Sequence, residues 1–429
     1  MRGAPAPGSA GMGKGGDVTG EGSGARCGRK PGAGEGVHQE KRVSGGKERD
    51  ADAAVEPFPR LPFAGPVDDV WNAMGLDRVH QAVGDSLLLK HKEDTRTLVL
   101  VAIFYALQVS RWRASEERVA EIDAALLGFG DDLWLAMICT FSFVGATLTH
   151  NCIHVPIFRK VCGRDWLNKC WQIVLSNTYG WPVSTLIPGH NLSHHKFTQG
   201  PKDVMRTTKM RYAWNLINLL LFVVHIIIDI NKYDAAYFED QKRLGRPIHK
   251  QLLLECFFFW PVQAALLLLN WRKYVLLVLF PQMLGKWGII TINLLQHDGC
   301  IEPDDDEVLS DGTHLVGKYN FARNFTSPLL NYLTCNNGYH TIHHLNPGWH
   351  WTKLPAGHMR IVKPHIHPNL DQPSMCGYAF WTYFVPRCLG GGRRWYDGRP
   401  YDLPPPVEDE QWYIPGGTSE TFSDGNKME

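Results

Sequence analysis

The chain has 429 residues, with 44 Lys and Arg against 43 Asp and Glu, a formal net charge of +1. That balance excludes the basic excess of a nucleic-acid binder. Hydrophobic residues make up 44%, an average that looks soluble only because the apolar residues are gathered into blocks, and the ten cysteines show no C-x-x-C pair, which argues against a disulfide framework.

Residues 1–60 are rich in Gly, Ala, Pro and charge and cannot bury enough apolar surface to offset their ordering entropy, so this segment is predicted to be disordered. It has no apolar core for a secretory signal and carries many acids for a transit peptide. Residues 61–96 read as an amphipathic helix on a membrane surface, with Val70, Trp71, Met74 and Leu76 as apolar members. Five apolar blocks follow: Thr97 to Ser110, Leu133 to Thr149, Ala213 to Ile230, Gln251 to Leu269 and Tyr274 to Leu295. A spanning helix needs roughly 20 apolar residues. The second, fourth and fifth blocks come close, and the first needs its flanks. Residues from Cys300 to Pro386 are polar, aromatic and rich in Asn, Pro and His, as in a cap outside the bilayer. Residues 386–429, with their LPPP run, read as an extended tail. The expected fold is an all-α integral membrane protein: about four transmembrane helices in two hairpins, interfacial helices, and a helical cap over a di-metal site. The main domain is expected to cover residues 97–385.

Three histidine clusters carry the chemistry. They are HNCIH, with His150 and His154; HNLSHH, with His190, His194 and His195; and HTIHH, with His340, His343 and His344. Side chains three or four apart share one helix face, so each cluster can aim its imidazoles at one point. Nineteen of 429 residues are His. A three-histidine pattern at fixed spacing is then expected far less than once by chance, and two occur. Imidazole suits zinc, copper, iron and nickel, and eight histidines exceed what one tetrahedral zinc can use. Two metals are the natural count. Soluble di-iron bundles use Glu and Glu-x-x-His; these clusters hold no such carboxylates, which makes the site nitrogen-rich. His297 closes the last apolar block with Asn293 one turn before it, and both are candidate ligands, Asn293 through a water. Asp203 and Asp298 lie near the clusters and could orient an imidazole by accepting its other N–H. His225 is expected to be a hydrogen-bonded core residue. His350, His358, His365 and His367 are expected to pack around the site rather than ligate.

A shared site needs every cluster on one side of the membrane. Blocks one and two form a hairpin ending at His150, and blocks four and five another ending at Asn293 and His297. Block three must then lie in the interface or re-enter. Residues 155–189 are expected to stay on the near side, with Trp166, Trp171 and Trp181 at the interface. Arg272 and Lys273 fall on the far side, against the positive-inside tendency.

These boxes, in this order, together with the stretch NNGYHTIHHLNPGWHW from Asn336 to Trp351, resemble the membrane fatty-acid desaturase superfamily over roughly Thr97 to His367. The resemblance implies four membrane helices, a cytosolic cap and two iron ions. Asn293 and His297 match the Asn and His that complete the metal site of stearoyl-CoA desaturases. It also implies O2 as co-substrate, removal of two hydrogens from adjacent methylenes of an acyl-lipid or acyl-CoA, and electrons from outside. The HPGG haem motif of fused cytochrome b5 domains is not found: His367 and Pro368 are followed by Asn369 and Leu370. A separate cytochrome b5 or ferredoxin is therefore the expected donor, and the endoplasmic reticulum the expected location, with a plastid the alternative. A di-iron hydroxylase or ketolase would share the chemistry, and a membrane zinc hydrolase would use one metal and no oxygen.

Overall fold

The computed structural model of the chain describes residues 74–209, 216–309 and 312–385. The expected disordered segment 1–60, the first part of 61–96 with Val70 and Trp71, and the tail 386–429 lie outside the described residues. What is described is mostly helical. Two short two-stranded pieces occur, Asp306–Val308 with His314–Val316 antiparallel and Asn324–Phe325 with Asp371–Gln372 parallel.

The first helix, α1, covers Asp77–Ser86. It exposes Val79 and Val83 and turns His80 and Gly84 inward. The single helix expected over 61–96 is thus broken. Leu88 takes a left-handed φ of 57°, the chain doubles back so that Gly84 lies against Lys92, and Leu89 enters the core. Four helices follow: α2 Thr95–Arg113, α3 Glu116–Ala125, capped by Ser115, α4 Gly130–His154 and α5 Trp166–Tyr179. Then come α6 Leu216–Arg243, α7 Pro247–Leu269 and α8 Trp271–His297.

Among the described residues, α4, α7 and α8 are long and apolar enough to cross a membrane. The helix α2, with arginines at both ends, falls short of that mark. One end of the assembly is tied by polar contacts. Arg111 of α2 grips Asp131 of α4 at 2.5 and 2.9 Å. Lys273 of α8 donates to Trp112 O at 2.8 Å and Ala114 O at 3.3 Å, satisfying carbonyls at the C-terminus of α2. The Lys273 charge that runs against the loop-charge tendency is therefore engaged as a helix cap. From this shared end α4 and α8 run side by side to the histidines. Their approach is close because of two glycines. A Cβ on Gly285 would stand 2.8 Å from Ser142 O, and one on Gly288 2.6 Å from the Phe143 ring.

The path of residues 155–189 differs from expectation. Both ends return to the histidine end, but α5 inserts among the long helices. Tyr105, about 15 Å along α2 at 1.5 Å per residue, donates from its hydroxyl to Val174 O and accepts from Thr178 Oγ1. Gln282, about 22 Å before His297 on α8, donates to Asn177 O, and Gln263 of α7 donates to Asn177 Oδ1. Lys286 donates to Gly180 O, where α5 ends in a left-handed residue at φ 77°. The polar side chains buried on α7 and α8 supply what this re-entering backbone needs. Trp166 and Trp181 keep exposed faces. The helix α6 packs Phe222 and Ile226 against Ile290 and Leu294 at the last turns of α8 and against Tyr383.

Gly285→Val should destabilise the α4–α8 contact by about 1–3 kcal/mol, the usual cost of overpacking. Thermal unfolding of the detergent-solubilised protein measures it. Met283→Val, at an exposed position two residues away, should change little.

Candidate metal centre

Each histidine cluster is placed by a different local device. His150 and His154 are one turn apart on the last turns of α4, and His297 closes α8. The second cluster lies on a wide π-helical turn, Pro188–His194, in which the His195 N–H reaches back to His190 O. The wider turn puts residues five apart on one face, and the His190 and His195 Nε2 atoms stand 3.0 Å apart. The third lies on the short helix α9, His340–Leu345.

The structure brings all eight box histidines and His297 together in two groups. His150, His154, His190, His195 and His343 form one, and His194, His297, His340 and His344 the other, with the ligand atoms of each group within 4.8 Å of one another. The boxes are shared between groups. His194 and His195 go to different ones, as do His343 and His344, and the His195 and His344 rings stack at 4.1 Å.

The fit to a metal follows from the donors. A neutral imidazole has one N–H and one lone pair. His190 Nε2 lies 2.7 Å from His150 Nε2, 3.1 Å from His154 Nε2 and 3.0 Å from His195 Nε2. One proton cannot serve three such contacts. His194 Nε2 and His343 Nε2 are buried with no hydrogen-bond partner at all. Imidazole–metal bonds of about 2.0–2.1 Å place adjacent ligand nitrogens roughly 3 Å apart, which is the spacing seen. Burial first, and then neighbouring imidazoles, push His190, His195, His340, His343 and His344 well below the ordinary imidazole value. In its neutral form each ring keeps one lone pair that could bind a cation.

Outer contacts orient the rings. His194 Nδ1 meets Asp203 Oδ2 at 2.9 Å, and the same carboxylate accepts the Gln199 and Met205 N–H groups. Burial raises the Asp203 carboxyl, but His194 and those N–H groups outweigh it and hold it below its usual range. His297 Nδ1 donates to Phe321 O at 3.1 Å. That partner left no trace in the sequence, because every residue carries a carbonyl. Asp298, the second carboxylate expected near the clusters, is held by a cation and two phenols. Its oxygens are engaged by Arg323, by Tyr378 Oη at 2.7 Å and by Tyr383 Oη at 2.9 Å, which ties the segment after residue 374 to the end of α8. His225 is exposed on α6 rather than in the core. His350 and His358 sit against Asp94 and Asp371, as packing residues would.

Asn293 lies one turn before His297 on α8. It is buried, with Nδ2 3.5 Å from Met205 O and Oδ1 unpartnered. It lines a cavity with His150, His190 and His340 whose other walls include Leu186, Met205, Ile230, Ile289, Ile290 and Ile292.

Helices able to cross a membrane end here in two convergent histidine groups that could each hold a metal ion. Residues 125–371 match the sequence model of the family described as fatty acid desaturase. That covers more than half of the chain and all nine grouped histidines, and the chain belongs to this family. No curated protein matches it. Membership implies an oxidoreductase and an acyl lipid substrate.

Asp203→Ala would leave His194 Nδ1 without its carboxylate. Loss of such a partner typically costs 10–100-fold in metal affinity. Elemental analysis of protein dialysed against graded chelator should show that loss while the helical circular dichroism is retained.

Proposed function

We propose that this protein is an O2-dependent desaturase of a fatty acyl chain, working at two iron ions held by the two histidine groups. The observation that supports it most is the placement of an apolar cavity directly against both groups, at His150, His190 and His340. On this reading His150, His154, His190, His195 and His343 hold one iron and His194, His297, His340 and His344 the other, with Asn293 completing the second through a water. The irons, when bound, supply the oxidising power that side-chain acid–base chemistry lacks for an unactivated methylene.

The chain's own residues do the rest. Leu186, Ile230, Ile289, Ile290 and Ile292 take an apolar chain out of water and hold a methylene pair beside the histidines. Asp203 and the Phe321 carbonyl keep His194 and His297 in the tautomer whose Nε2 lone pair faces inward. The Asn293 carbonyl oxygen, having no protein partner, is available to a water.

The reading carries a membrane layout. Helices α2 and α4 form one hairpin and α7 and α8 the other, giving four spans. The helix α2, at 19 residues, is about 28 Å long, close to the roughly 30 Å hydrocarbon thickness. The helix α6 then lies in the interface and residues 300–385 form a cytosolic cap, within a domain spanning 97–385 and flanked by an N-terminal segment and a tail. Electrons come from a separate cytochrome b5 or ferredoxin, and the membrane is that of the endoplasmic reticulum.

Purified active protein should contain close to two irons per chain, and expression in a host lacking the activity should add a double bond detectable by fatty-acid profiling. One zinc and no iron in an active sample would overturn the reading.

His297→Ala should abolish activity and lower iron content in protein that still folds, whereas Asn293→Ala should reduce activity more than iron. If His297 were only a helix-end cap, its loss would cost about 0.5–2 kcal/mol of stability and leave specific activity near normal.

A further inference from the structure

Desaturation moves more than an acyl chain. A –CH2–CH2– unit, O2, two electrons and two protons become –CH=CH– and two waters, so protons must arrive and water must leave. The apolar walls beside Asn293 suit neither task. A second cavity, sharing no lining residue with the first, reaches the five-histidine group at His154 and His343. Its volume is about 20 Å³, and Asp94, Thr97, His350 and Trp351 are among its walls. A space of roughly 10–15 Å³ holds a water if two to four polar partners are at hand.

Two such partners are present. Asp94 is 1% exposed. Its Oδ1 accepts Trp351 Nε1 at 3.0 Å and Thr97 Oγ1 at 3.4 Å, while Oδ2 has no partner. His350 is 3% exposed. Its Nε2 stands 3.2 Å from Asp94 Oδ1 but makes no hydrogen bond, and its Nδ1 meets Thr352 Oγ1 at 2.8 Å. Leaving a buried polar atom unpaired costs about 1–3 kcal/mol, and a water between Asp94 Oδ2 and His350 Nε2 would relieve both. Outside His350 its ring stacks on that of His91, centroids 4.0 Å apart, and His91 is only half-buried. The polar groups thus run from the half-buried Thr352 hydroxyl, through a buried imidazole and a buried carboxylate, to a cavity bounded by His154 and His343.

We propose that this cavity holds water and, with Asp94 and His350, forms the polar passage by which protons reach the histidine site and product water leaves it. The proposal rests on the desaturase reading. Trp351 anchors one carboxylate oxygen, which leaves Oδ2 to take a proton from the solvent side and release it to the cavity water. Asp94 ends each turnover in the state in which it began. His350 accepts on one ring nitrogen and donates from the other. Protons and water are thereby kept apart from the acyl cavity, whose dryness protects the reaction.

Asp94→Asn keeps an acceptor for Trp351 but has no acid proton to exchange. His350→Phe keeps a ring against His91 but no nitrogen, and serves if the first variant fails to fold. Either should retain wild-type iron content, lose turnover by roughly 100-fold, as removal of a proton-transfer group does, and show a larger solvent deuterium isotope effect than wild type. A density map at a resolution that resolves waters should place one between Asp94 and His350. Wild-type turnover and isotope effect in both variants, iron lost in step with activity, or a dry cavity would each overturn the proposal. Failure of the desaturase reading would look different, as wild-type protein that forms no double bond, and the water density does not depend on it.

Discussion

Nine imidazoles are crowded at one end of a helix pair, in two groups that could each hold a metal ion. Protonated, they would repel one another across contacts of 2.7–3.1 Å in a buried space. Neutral and without metal, they would leave His194 Nε2 and His343 Nε2 buried and unpaired, a substantial cost at each atom. The rest of the molecule holds this arrangement in place. Gly285 and Gly288 let α4 and α8, which end in His150, His154 and His297, approach closely, and the π turn at Pro188–His194 turns His190 and His195 onto a common face.

A second constraint follows from the first. The middle box has to be delivered between helices that surround it, so the chain leading to it runs through an apolar region. Its backbone is satisfied by side chains that would otherwise be out of place there. Glu255 of α7 accepts from both the backbone N–H and the hydroxyl of Ser184 at 2.8 Å, and from Gln251 at 3.0 Å. Gln282 and Lys286 donate to the carbonyls of Asn177 and Gly180. These contacts fix the segment immediately before Pro188, so polar groups far from the metal centre position its second box.

A third layer locks the end of α8. Asp298, directly after His297, is completely buried with Arg323 and two tyrosine hydroxyls, and Arg323 lies 4.0 Å over the Tyr378 ring. A buried ion pair adds little stability by itself, but breaking one is costly. Here it makes the position of His297 depend on the segment around Tyr378 and Tyr383, some eighty residues later in the chain.

Residue type and local spacing alone determined the helical class, the apolar blocks and the eight box histidines, because helix periodicity and imidazole chemistry are local properties. His297 was a candidate as a polar residue closing an apolar helix, but its spacing from Asn293 is weak by itself and the family resemblance carried it. Asp203 was legible only as a neighbour in sequence. Which histidines share a group was not legible: His194 and His195 are adjacent yet part company, because opposite faces of one turn look to different helices. The partners of Asp298 were not legible, since Arg323 and the tyrosines that hold it are distant in the chain. The descent of α5 was likewise hidden. Its polar partners lie on α2, α7 and α8, and only the packing of those helices shows that a segment outside them can be satisfied among them.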